Sequence, residues 1–361
     1  MFGESCRINR YFLVFSVWSI SVGVQISLLV SRLVSGMALW VSGVVKLFFY
    51  RLVIRFSQTM EALQMYRKWS LFDIPNLSGK VAIVTGGNVG LGFKTSLELA
   101  RKGVAVTIAC RSVEKGEEAA KKIKSEISEA DVSVLSLDLI NSNSIEKFSQ
   151  DFSSKNNKLD LLINNAGVVN LENHQLTPEG QEMHMATNHL GHFSLTGKLF
   201  PLLTKTDDAR VVLVSSLAYR QGVIDFSDFS WNHRKYDRMK CYGDSKLANM
   251  LFMHSLNGKF KSLGSTAIAV AAHPGLTGTE RQQSIGIGGL VAKWVASPVE
   301  KGCLPQLLAA CEATAKAGEF YGPKFGLIGR PVLQKLHSKA LDYSLAKALW
   351  AKSEEITGVQ Y

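Results

Sequence analysis

The chain has 361 residues, 46% of them hydrophobic and 20% charged, so it can bury a large core and is not a disordered protein. Its formal net charge of +11 favours a polyanionic partner, such as a nucleic acid or a membrane surface. The five cysteines are scattered and contain no Cys-x-x-Cys pair. They therefore indicate neither a disulfide framework nor a zinc knuckle, and the simplest inference is a reducing compartment.

The excess charge is concentrated at the start of the chain, where residues 1–72 hold eight basic and two acidic residues. Residues 11–31 form 21 consecutive uncharged positions. As a helix these would span about 32 Å, the thickness of a hydrocarbon core. Basic and aromatic residues then alternate from Lys46 to Phe56, a composition typical of a membrane interface. We predict a membrane-anchor segment and linker over residues 1–72 that contacts the membrane through residues 11–56.

The anchor has two forms that the sequence leaves open, namely one span and a hairpin hinged near Arg32. A cleaved signal peptide and a mitochondrial presequence are alternatives, but the apolar run is long and no Ala-x-Ala-like cleavage site is evident. The basic residues after the segment favour a cytoplasm-facing domain. We expect the membrane of the endoplasmic reticulum, of a lipid droplet or of another organelle, with the mitochondrion as the alternative.

A glycine-rich turn follows the first predicted strand. Residues 80–85 are apolar, residues 86–92 hold the glycines, and residues 93–102 are helical in pattern. Strand, glycine turn and helix in this order are typical of a dinucleotide site, because glycine lets the backbone approach a pyrophosphate that the helix N-terminus attracts. The predicted cofactor contacts in this turn are Gly86, Asn88, Gly90, Leu91 and Gly92.

Strands and helices then alternate along the chain. We predict strands over residues 104–110, 132–137, 159–163 and 211–214, helices over residues 112–128 and 142–156, and a helical stretch that contains Tyr242 and reaches about Phe260. This alternation predicts an α/β fold with a doubly wound parallel sheet of the Rossmann type, in one domain over residues 73–361. The ligand crevice of such a sheet lies at the carboxyl ends of its strands.

The second strand ends in Cys110-Arg111, where an acidic residue would hold the ribose hydroxyls of NAD(H). An arginine at this position can instead pair with the 2′-phosphate of NADP(H). We therefore predict NADP(H) as the cofactor in preference to NAD(H). The alternative interpretation is an ordinary surface arginine.

Tyr242 and Lys246 are four residues apart in a predicted helix and share one face. Free tyrosine has a pKa near ~10, which is too high for a general base at neutral pH. Positive charge on a nearby ammonium and on an oxidised nicotinamide lowers the pKa of the phenol. The pair therefore predicts a tyrosine acid/base assisted by a lysine, although this spacing alone is common on solvated helices.

Several motifs occur together in one order: Thr85-Gly86-x-x-x-Gly90-x-Gly92, Asp138, Asn164-Asn165-Ala166-Gly167, Asn188, Ser216, Tyr242-x-x-x-Lys246, and Pro274-Gly275 followed by Thr279. This set resembles the short-chain dehydrogenase/reductase family over about residues 78–361. The residues around Asn188 and Tyr242, and the tail from Leu349 to Gly358, are similar to its retinol-dehydrogenase-like branch. That branch often carries an apolar N-terminal anchor.

The resemblance implies a role for each matching residue. Tyr242 would be the acid/base, and Lys246 would lower its pKa and hold a ribose hydroxyl. Ser216, rather than Ser215, would hydrogen-bond the substrate oxygen, and Asn188 would hold a water in the proton relay. The further cofactor contacts would be Asp138 near the adenine, Asn164 near the adenine-side ribose, Ala166, Gly167, Pro274 and Gly275, and Thr279 at the nicotinamide carboxamide.

Other patterns receive a structural interpretation. His184, His189 and His192 lie close together, but no acidic ligand joins them, so we expect structural or surface histidines and no metal. Residues 282–298 contain glycines that do not follow a strand, and we expect part of a substrate lid there. The long aromatic stretch of residues 217–241 is similar to the substrate-side insertion of the branch.

Together these features predict a membrane-associated oxidoreductase that transfers a hydride between NADP(H) and a lipophilic alcohol or carbonyl compound. A retinoid, a steroid or another isoprenoid lipid would be such a substrate. The alternative is a membrane-attached scaffold or redox sensor that binds NADP(H) without turnover. We expect no nucleic-acid partner, because no basic stripe with stacking aromatics lies outside the first 72 residues. For the oligomeric state, the sequence is compatible with both a homodimer and a monomer.

Overall fold

The computed structural model describes residues 69–276 and 298–361. The predicted membrane contact over residues 11–56, the lid up to its last residue, and Thr279 lie outside the described residues. In these two described ranges, no helix is both long and apolar enough to cross a bilayer.

The described residues form one mixed sheet. Its strands are β1 (Val81–Thr85), β2 (Ala105–Cys110), β3 (Val132–Ser136), β4 (Leu161–Asn164), β5 (Arg210–Val214), β6 (Ile268–Ala272), β7 (Phe320–Pro323) and β8 (Pro331–Leu333). Within the described part of the chain their order is β3-β2-β1-β4-β5-β6-β7-β8, parallel except for β8, which pairs antiparallel with β7. Strand order changes direction between β1 and β4, the point at which such sheets open a ligand crevice.

Helices connect these strands. They are α1 (Gly90–Arg101), α2 (Val113–Glu126), α3 (Ser142–Ser153), α4 (Gly191–Lys205), α5 (Arg238–Ser262), α6 (Leu304–Cys311) and α7 (Tyr343–Thr357). Four of them begin at a side chain that accepts a first-turn N–H, which stabilises the helix start: Ser112, Asn141, Asp237 and Asp342 for α2, α3, α5 and α7.

The side chains of each strand alternate between two hydrophobic cores, one on each face of the sheet. In β1, Ile83 packs with α3, α4, α5 and α7, whereas Ala82 and Val84 pack with α1, α2 and α6. Burial on both faces explains why the parallel strands read as continuous apolar runs. The predicted α/β fold with a doubly wound, Rossmann-type parallel sheet is confirmed.

Two chain segments outside the sheet are tied to these cores. Trp69 packs against the α1–α2–α6 core, although it falls in the predicted linker, and the boundary at residues 72 and 73 stays a prediction. At the other end, the Tyr361 ring centre lies 4.5 Å from that of Trp350. The Tyr361 hydroxyl donates to Phe193 O at 2.6 Å, which ties the last residue to α4 and α7.

Candidate active site

The predicted site residues gather at the carboxyl edge of the sheet. Gly86, Arg111, Asp138, Asn164, Ser216 and Pro274 end or follow β1, β2, β3, β4, β5 and β6, respectively. Lys246 reaches this edge from α5, where its Nζ donates to Val214 O at 2.9 Å. Parallel strands end on one side of a sheet, so residues far apart in sequence meet there.

The glycine turn between β1 and α1 keeps the backbone tightly folded. Gly86 and Gly90 have left-handed φ angles of 64° and 56°, which glycine adopts without strain. A Cβ on Gly92 would lie 2.2 Å from Gly86 O. Val89 occupies the N-cap position of α1 and provides no side-chain hydrogen bond. The first N–H groups of α1 therefore suit an anion, and the turn fits a dinucleotide pyrophosphate. Asn88 and Leu91 are partly buried beside it.

Thr85, the last residue of β1, fixes the loop that follows β4. Its Oγ1 accepts the N–H groups of Asn165 and Ala166, each at 2.9 Å, and Asn165 Nδ2 donates to Thr85 O at 2.8 Å. Asn164, by contrast, is buried, and its Nδ2 donates to Thr196 Oγ1 at 3.1 Å. Thr85 and Asn165 were not among the predicted site residues, although both lie inside motifs that hold predicted ones.

Gly167 brings the loop after β4 close to the lysine. A Cβ at this position would lie 2.8 Å from Asn188 Oδ1 and 3.6 Å from Lys246 Nζ. Any larger side chain would therefore press on both groups. The close approach explains why glycine occupies this position.

Arg111 and Asp138 follow neighbouring strands, β2 and β3, and so flank the same end of the crevice. The Arg111 side chain is exposed, and it makes no ion pair with any described residue. Asp138 is partly buried and its Oδ1 accepts the N–H of Ile140 at 3.2 Å. An exposed guanidinium at the end of β2 fits the phosphate role predicted for it.

Pro274 and Gly275 follow β6. Gly275 has a φ of 73°, and its N–H donates to His273 Nδ1 at 3.2 Å. A Cβ on Gly275 would lie 2.3 Å from Leu327 O, so the turn packs directly against the loop between β7 and β8. Since Thr279 is not among the described residues, its contact with the carboxamide stays a prediction.

Ser216 lies beside Tyr242, and its side chain lowers the pKa of the Tyr242 phenol. Ser216 also accepts the N–H of Ala218 at 3.3 Å, which holds its hydroxyl at the start of a short 3₁₀ turn. The preceding Ser215 is buried and donates to Lys246 O at 3.0 Å. Of the two serines, Ser216 is therefore the one that meets the tyrosine.

Burial raises the pKa of Tyr242 to about 12, and the hydrogen bond from Ser216 acts in the opposite direction. From the sequence we expected a lowered pKa, because Lys246 and an oxidised nicotinamide would both place positive charge near the phenol. The Lys246 ammonium instead lies on Val214 O, 5.5 Å from the centre of the Tyr242 ring. In the chain alone, desolvation of the phenolate therefore dominates, and the Tyr242 phenol is neutral at pH 7.

Lys246 is almost fully buried, and burial lowers its pKa to about 8. Its ammonium carries three N–H donors, of which one goes to Val214 O. The remaining donors fit ribose hydroxyls in the crevice, which is the role that the family resemblance implies.

Asn188 lies in a π-helical turn, Ala186–Leu190, just before α4. Its Oδ1 accepts from Val168 N at 2.8 Å, and its Nδ2 donates to Val168 O at 3.0 Å and to Ser245 Oγ at 2.9 Å. Ser245 in turn donates to Tyr242 O at 2.8 Å. Asn188 thus joins the loop after β4 to the catalytic helix. Ser245 was missed, and its place inside the Tyr-x-x-x-Lys motif was the available signal.

The three clustered histidines are all buried. His184 Nδ1 lies 2.7 Å from Glu182 Oε1, and His189 Nε2 lies 2.8 Å from Ser353 Oγ. Among the described residues, no group of three or more His, Cys, Asp or Glu side chains could hold a metal ion. These histidines are part of the packing around α4.

Known proteins share this arrangement. The family profile described as short chain dehydrogenase matches residues 80–287. Human retinol dehydrogenase 13 is 37% identical over 288 residues, which cover 79% of this chain and 86% of that protein. Mouse retinol dehydrogenase 12 is 38% identical over 288 residues, covering 79% and 88% of the two chains.

A solved structure also matches. The crystal structure of an uncharacterized protein from Mycobacterium paratuberculosis superposes with a TM-score of 0.69 at 36% sequence identity, covering 82% of this chain and 99% of that one. The glycine turn, Ser216, Tyr242 and Lys246 all lie within the residues that the profile matches. The chain belongs to the short-chain dehydrogenase family and is an oxidoreductase similar to the retinol dehydrogenases.

Proposed function

We propose that the protein interconverts a lipophilic alcohol and its carbonyl compound with NADP(H), at a membrane. The observation that carries the proposal is the placement of Ser216 beside Tyr242, with Lys246 one helical turn away on α5. Two hydroxyl groups that meet at the mouth of a dinucleotide crevice can both reach one carbonyl oxygen. Such an oxygen needs hydrogen bonds and a proton as negative charge develops on it.

Each residue has a separate task in the proposed reduction. Ser216 hydrogen-bonds the carbonyl oxygen and orients it toward Tyr242. Tyr242, kept protonated by burial, donates its proton to that oxygen. Lys246 holds the ribose with its free N–H donors, while Asn188 fixes the backbone of the loop after β4 and holds a water for reprotonation. A bound nicotinamide supplies the hydride.

The proposed cofactor preference rests on Arg111. Its exposed guanidinium follows β2 and has no ion-pair partner among the described residues, so it can meet a 2′-phosphate. The turn from Gly86 to Gly92 would hold the pyrophosphate, with Asp138, Asn164, Ala166 and Gly167 on the adenine side. Pro274, Gly275 and Thr279 would face the nicotinamide.

The proposed substrate class rests on the relatives, which are named retinol dehydrogenases, and on the apolar head of the chain. We propose a retinoid or a similar isoprenoid aldehyde or alcohol. The segment of residues 11–56 would hold the enzyme at the membrane in which such a substrate dissolves.

The test is NADPH consumption with all-trans-retinaldehyde in detergent, for the wild type and Tyr242→Phe. We expect turnover by the wild type and a loss of about 10³-fold in kcat for the variant, because its proton donor is gone. The dissociation constant of NADPH, measured by fluorescence titration, should stay the same. Full turnover by the variant, or tighter binding of NADH than of NADPH, would contradict the proposal.

A further inference from the structure

Residues 217–241, called the 217–241 segment below, connect Ser216 to Tyr242, the two residues that place hydroxyl groups in the site. It begins directly after Ser216 and ends directly before Tyr242. It contains two 3₁₀ turns, Leu217–Arg220 and Phe226–Asp228, and ends in the first turn of α5 from Arg238, and the rest of it is irregular. A long irregular segment needs partners for its backbone and side chains outside a helix or a sheet. The contacts that hold it therefore also set its position beside the reacting groups.

One carboxylate on α5 provides two of these contacts. Asp244 is 4% exposed, its Oδ1 accepts the N–H of Val223 at 2.8 Å, and its Oδ2 accepts Trp231 Nε1–H at 3.1 Å. The two donors lie eight residues apart in the segment. A single side chain thus joins both halves of the segment to the catalytic helix.

Trp231 extends the contacts of Asp244 through the second half of the segment. It is buried and has a φ of 59°, a left-handed conformation that costs a tryptophan energy and must be held by its surroundings. The Arg234 guanidinium lies 3.9 Å from the centre of its ring. Arg234 Nε also donates to Asp228 Oδ2 at 3.0 Å, so Asp244, Trp231, Arg234 and Asp228 form one connected chain.

The segment also touches the backbone of α5 next to the tyrosine. A Cβ on Gly222 would lie 2.5 Å from Gly243 O, and a Cβ on Gly243 would lie 2.9 Å from Ala218 O. The two chains are therefore as close as glycine allows, one residue after Tyr242. A shift of the segment would change the space directly beside the tyrosine.

Asp244 lies two residues from both Tyr242 and Lys246, which places it on the opposite face of α5. It does not contact the reacting atoms. We propose that Asp244 is a positioning residue that fixes the 217–241 segment to the catalytic helix and thereby sets the affinity for bulky substrates. The substrate part of this inference rests on the proposed function.

The charge of Asp244 makes its contribution dependent on pH. Burial, with a smaller effect of the Glu182 charge, raises its pKa to about 6 against the lowering effects of the Val223 and Trp231 hydrogen bonds and of Arg234. Cys241 is a further titratable neighbour. The ionised carboxylate accepts two N–H donors, whereas a protonated carboxyl group places its own hydrogen on one of those oxygens. The attachment of the segment through Asp244 is therefore complete above pH 6, and it weakens below pH 6.

The test compares Asp244→Asn and Trp231→Phe with matched controls in the full chain. Asp160→Asn removes another buried carboxylate, which accepts the backbone N–H of Val81 at the amino ends of the strands. Trp350→Phe removes an indole N–H that has no hydrogen-bond partner among the described residues. Substrates are retinaldehyde and a three-carbon aldehyde, both with NADPH.

We expect both test variants to raise the KM for retinaldehyde about tenfold. Their kcat for the three-carbon aldehyde and their NADPH dissociation constants should stay within twofold of the wild type. The KM of the wild type for retinaldehyde should rise below pH 6, and that of Asp244→Asn should not. Equal losses with both aldehydes, or the same KM change in Asp160→Asn, would overturn the substrate role.

Limited trypsin digestion tests the attachment of the 217–241 segment through Asp244, and this test does not depend on enzyme activity. Asp244→Asn should be cleaved several-fold faster than the wild type after the exposed Lys235, and the Asp160→Asn control should not. Unchanged cleavage would overturn the proposal that Asp244 holds the segment. If the wild type binds NADPH but reduces neither aldehyde, the proposed function fails, and the cleavage result alone decides whether Asp244 holds the segment.

Discussion

The imidazole of His192 joins Thr85 to Asn188. Its Nδ1 lies 2.9 Å from Asn188 O, a carbonyl that can only accept, so Nδ1 carries the proton. Burial lowers the pKa of His192 to about 4, so the ring is neutral at pH 7 and its Nε2 is an acceptor. Thr85 Oγ1, at 2.9 Å, therefore donates to it. The end of β1, the loop after β4 and the π-helical turn form one hydrogen-bonded unit around the crevice.

Thr85→Val should damage this unit. Valine keeps the shape of threonine but leaves the N–H groups of Asn165 and Ala166 and the Nε2 of His192 without their partner. We expect a loss of about 3 kcal/mol in the free energy of unfolding, measured in urea, and weaker NADPH binding. Thr85→Ser keeps the hydroxyl and serves as the control. A valine variant as stable as the serine variant would contradict the assignment.

The two adjacent serines should separate catalysis from packing. Ser216→Ala removes the group that hydrogen-bonds Tyr242, and we expect kcat for retinaldehyde to fall about 10²- to 10³-fold with little change in stability. Ser215→Ala should cost about 1 kcal/mol of stability, because it removes the bond to Lys246 O, and leave kcat within a few-fold. The reverse pattern would show that Ser215 contacts the substrate.

Replacing Arg111 tests the choice of cofactor. Arg111→Gln should raise the dissociation constant of NADPH about 10- to 100-fold, since a charge-assisted bond to the 2′-phosphate is lost. The dissociation constant of NADH should change little. Lys121→Gln removes the same charge from an exposed position on α2 and controls for net charge. Equal weakening of NADPH and NADH binding would mean that Arg111 does not read the phosphate.

Two glycines provide a matched pair for the turn. Gly92→Ala places a methyl group 2.2 Å from Gly86 O, so the turn must move, and NADPH binding should weaken more than tenfold. Gly258 is exposed inside α5, and a Cβ there meets nothing within 4 Å. Gly258→Ala should therefore raise the free energy of unfolding by about 0.5–1 kcal/mol without affecting NADPH. Binding unchanged in the Gly92 variant would place the pyrophosphate elsewhere.

Stability should fall in mild acid. Burial lowers the pKa of His189 to about 3 and those of His192 and His273 to about 4. In the unfolded chain these groups bind protons near pH 6.5, so the unfolded state gains more protons as the pH falls from 6.5 to 4. Each histidine then lowers stability by about 1.4 kcal/mol per pH unit. Their stabilising contribution is present above pH 6.5 and is lost toward pH 4.

Asp244 acts in the opposite direction, because its raised pKa of about 6 makes the folded state bind the extra proton between pH 6 and 4. Three histidines outweigh one aspartate. Urea unfolding at pH 7 and pH 5 should therefore show a net loss of stability at pH 5. Replacing the exposed His233 with glutamine should leave this dependence unchanged. Equal stability at both pH values would show that the buried histidines are protonated in the folded state.

The sequence predicted the first half of the sheet better than the second. The runs at 80–85, 104–110 and 211–214 carry apolar residues on both faces, which identifies buried parallel strands. For the helix of Tyr242, only the end near Phe260 was predicted; the helix begins at Arg238, because Asp237 accepts the N–H groups of Met239 and Lys240. The strands β7 and β8 contain glycine and proline, and their pairing depends on neighbours that no local pattern shows.

The site was predictable where a motif fixes the residue type. Ser216 lies beside Tyr242, Lys246 lies one helical turn away, and their catalytic roles stay predictions, whereas the pKa of Tyr242 depends on burial that spacing cannot reveal. Asp244 was missed for a similar reason. It lies within the Tyr-x-x-x-Lys motif, and its importance comes from Val223 and Trp231, which the fold brings to it.

The side chain of Tyr361 packs beside Trp350 and reaches Phe193 O on α4. That helix directly follows the turn that carries Asn188. An affinity tag fused behind Tyr361 would therefore start at a residue that is part of the core packing. For purification, a tag at this end should be separated by a flexible spacer, and tagged and tag-cleaved protein should be compared for melting temperature before kinetic data are interpreted.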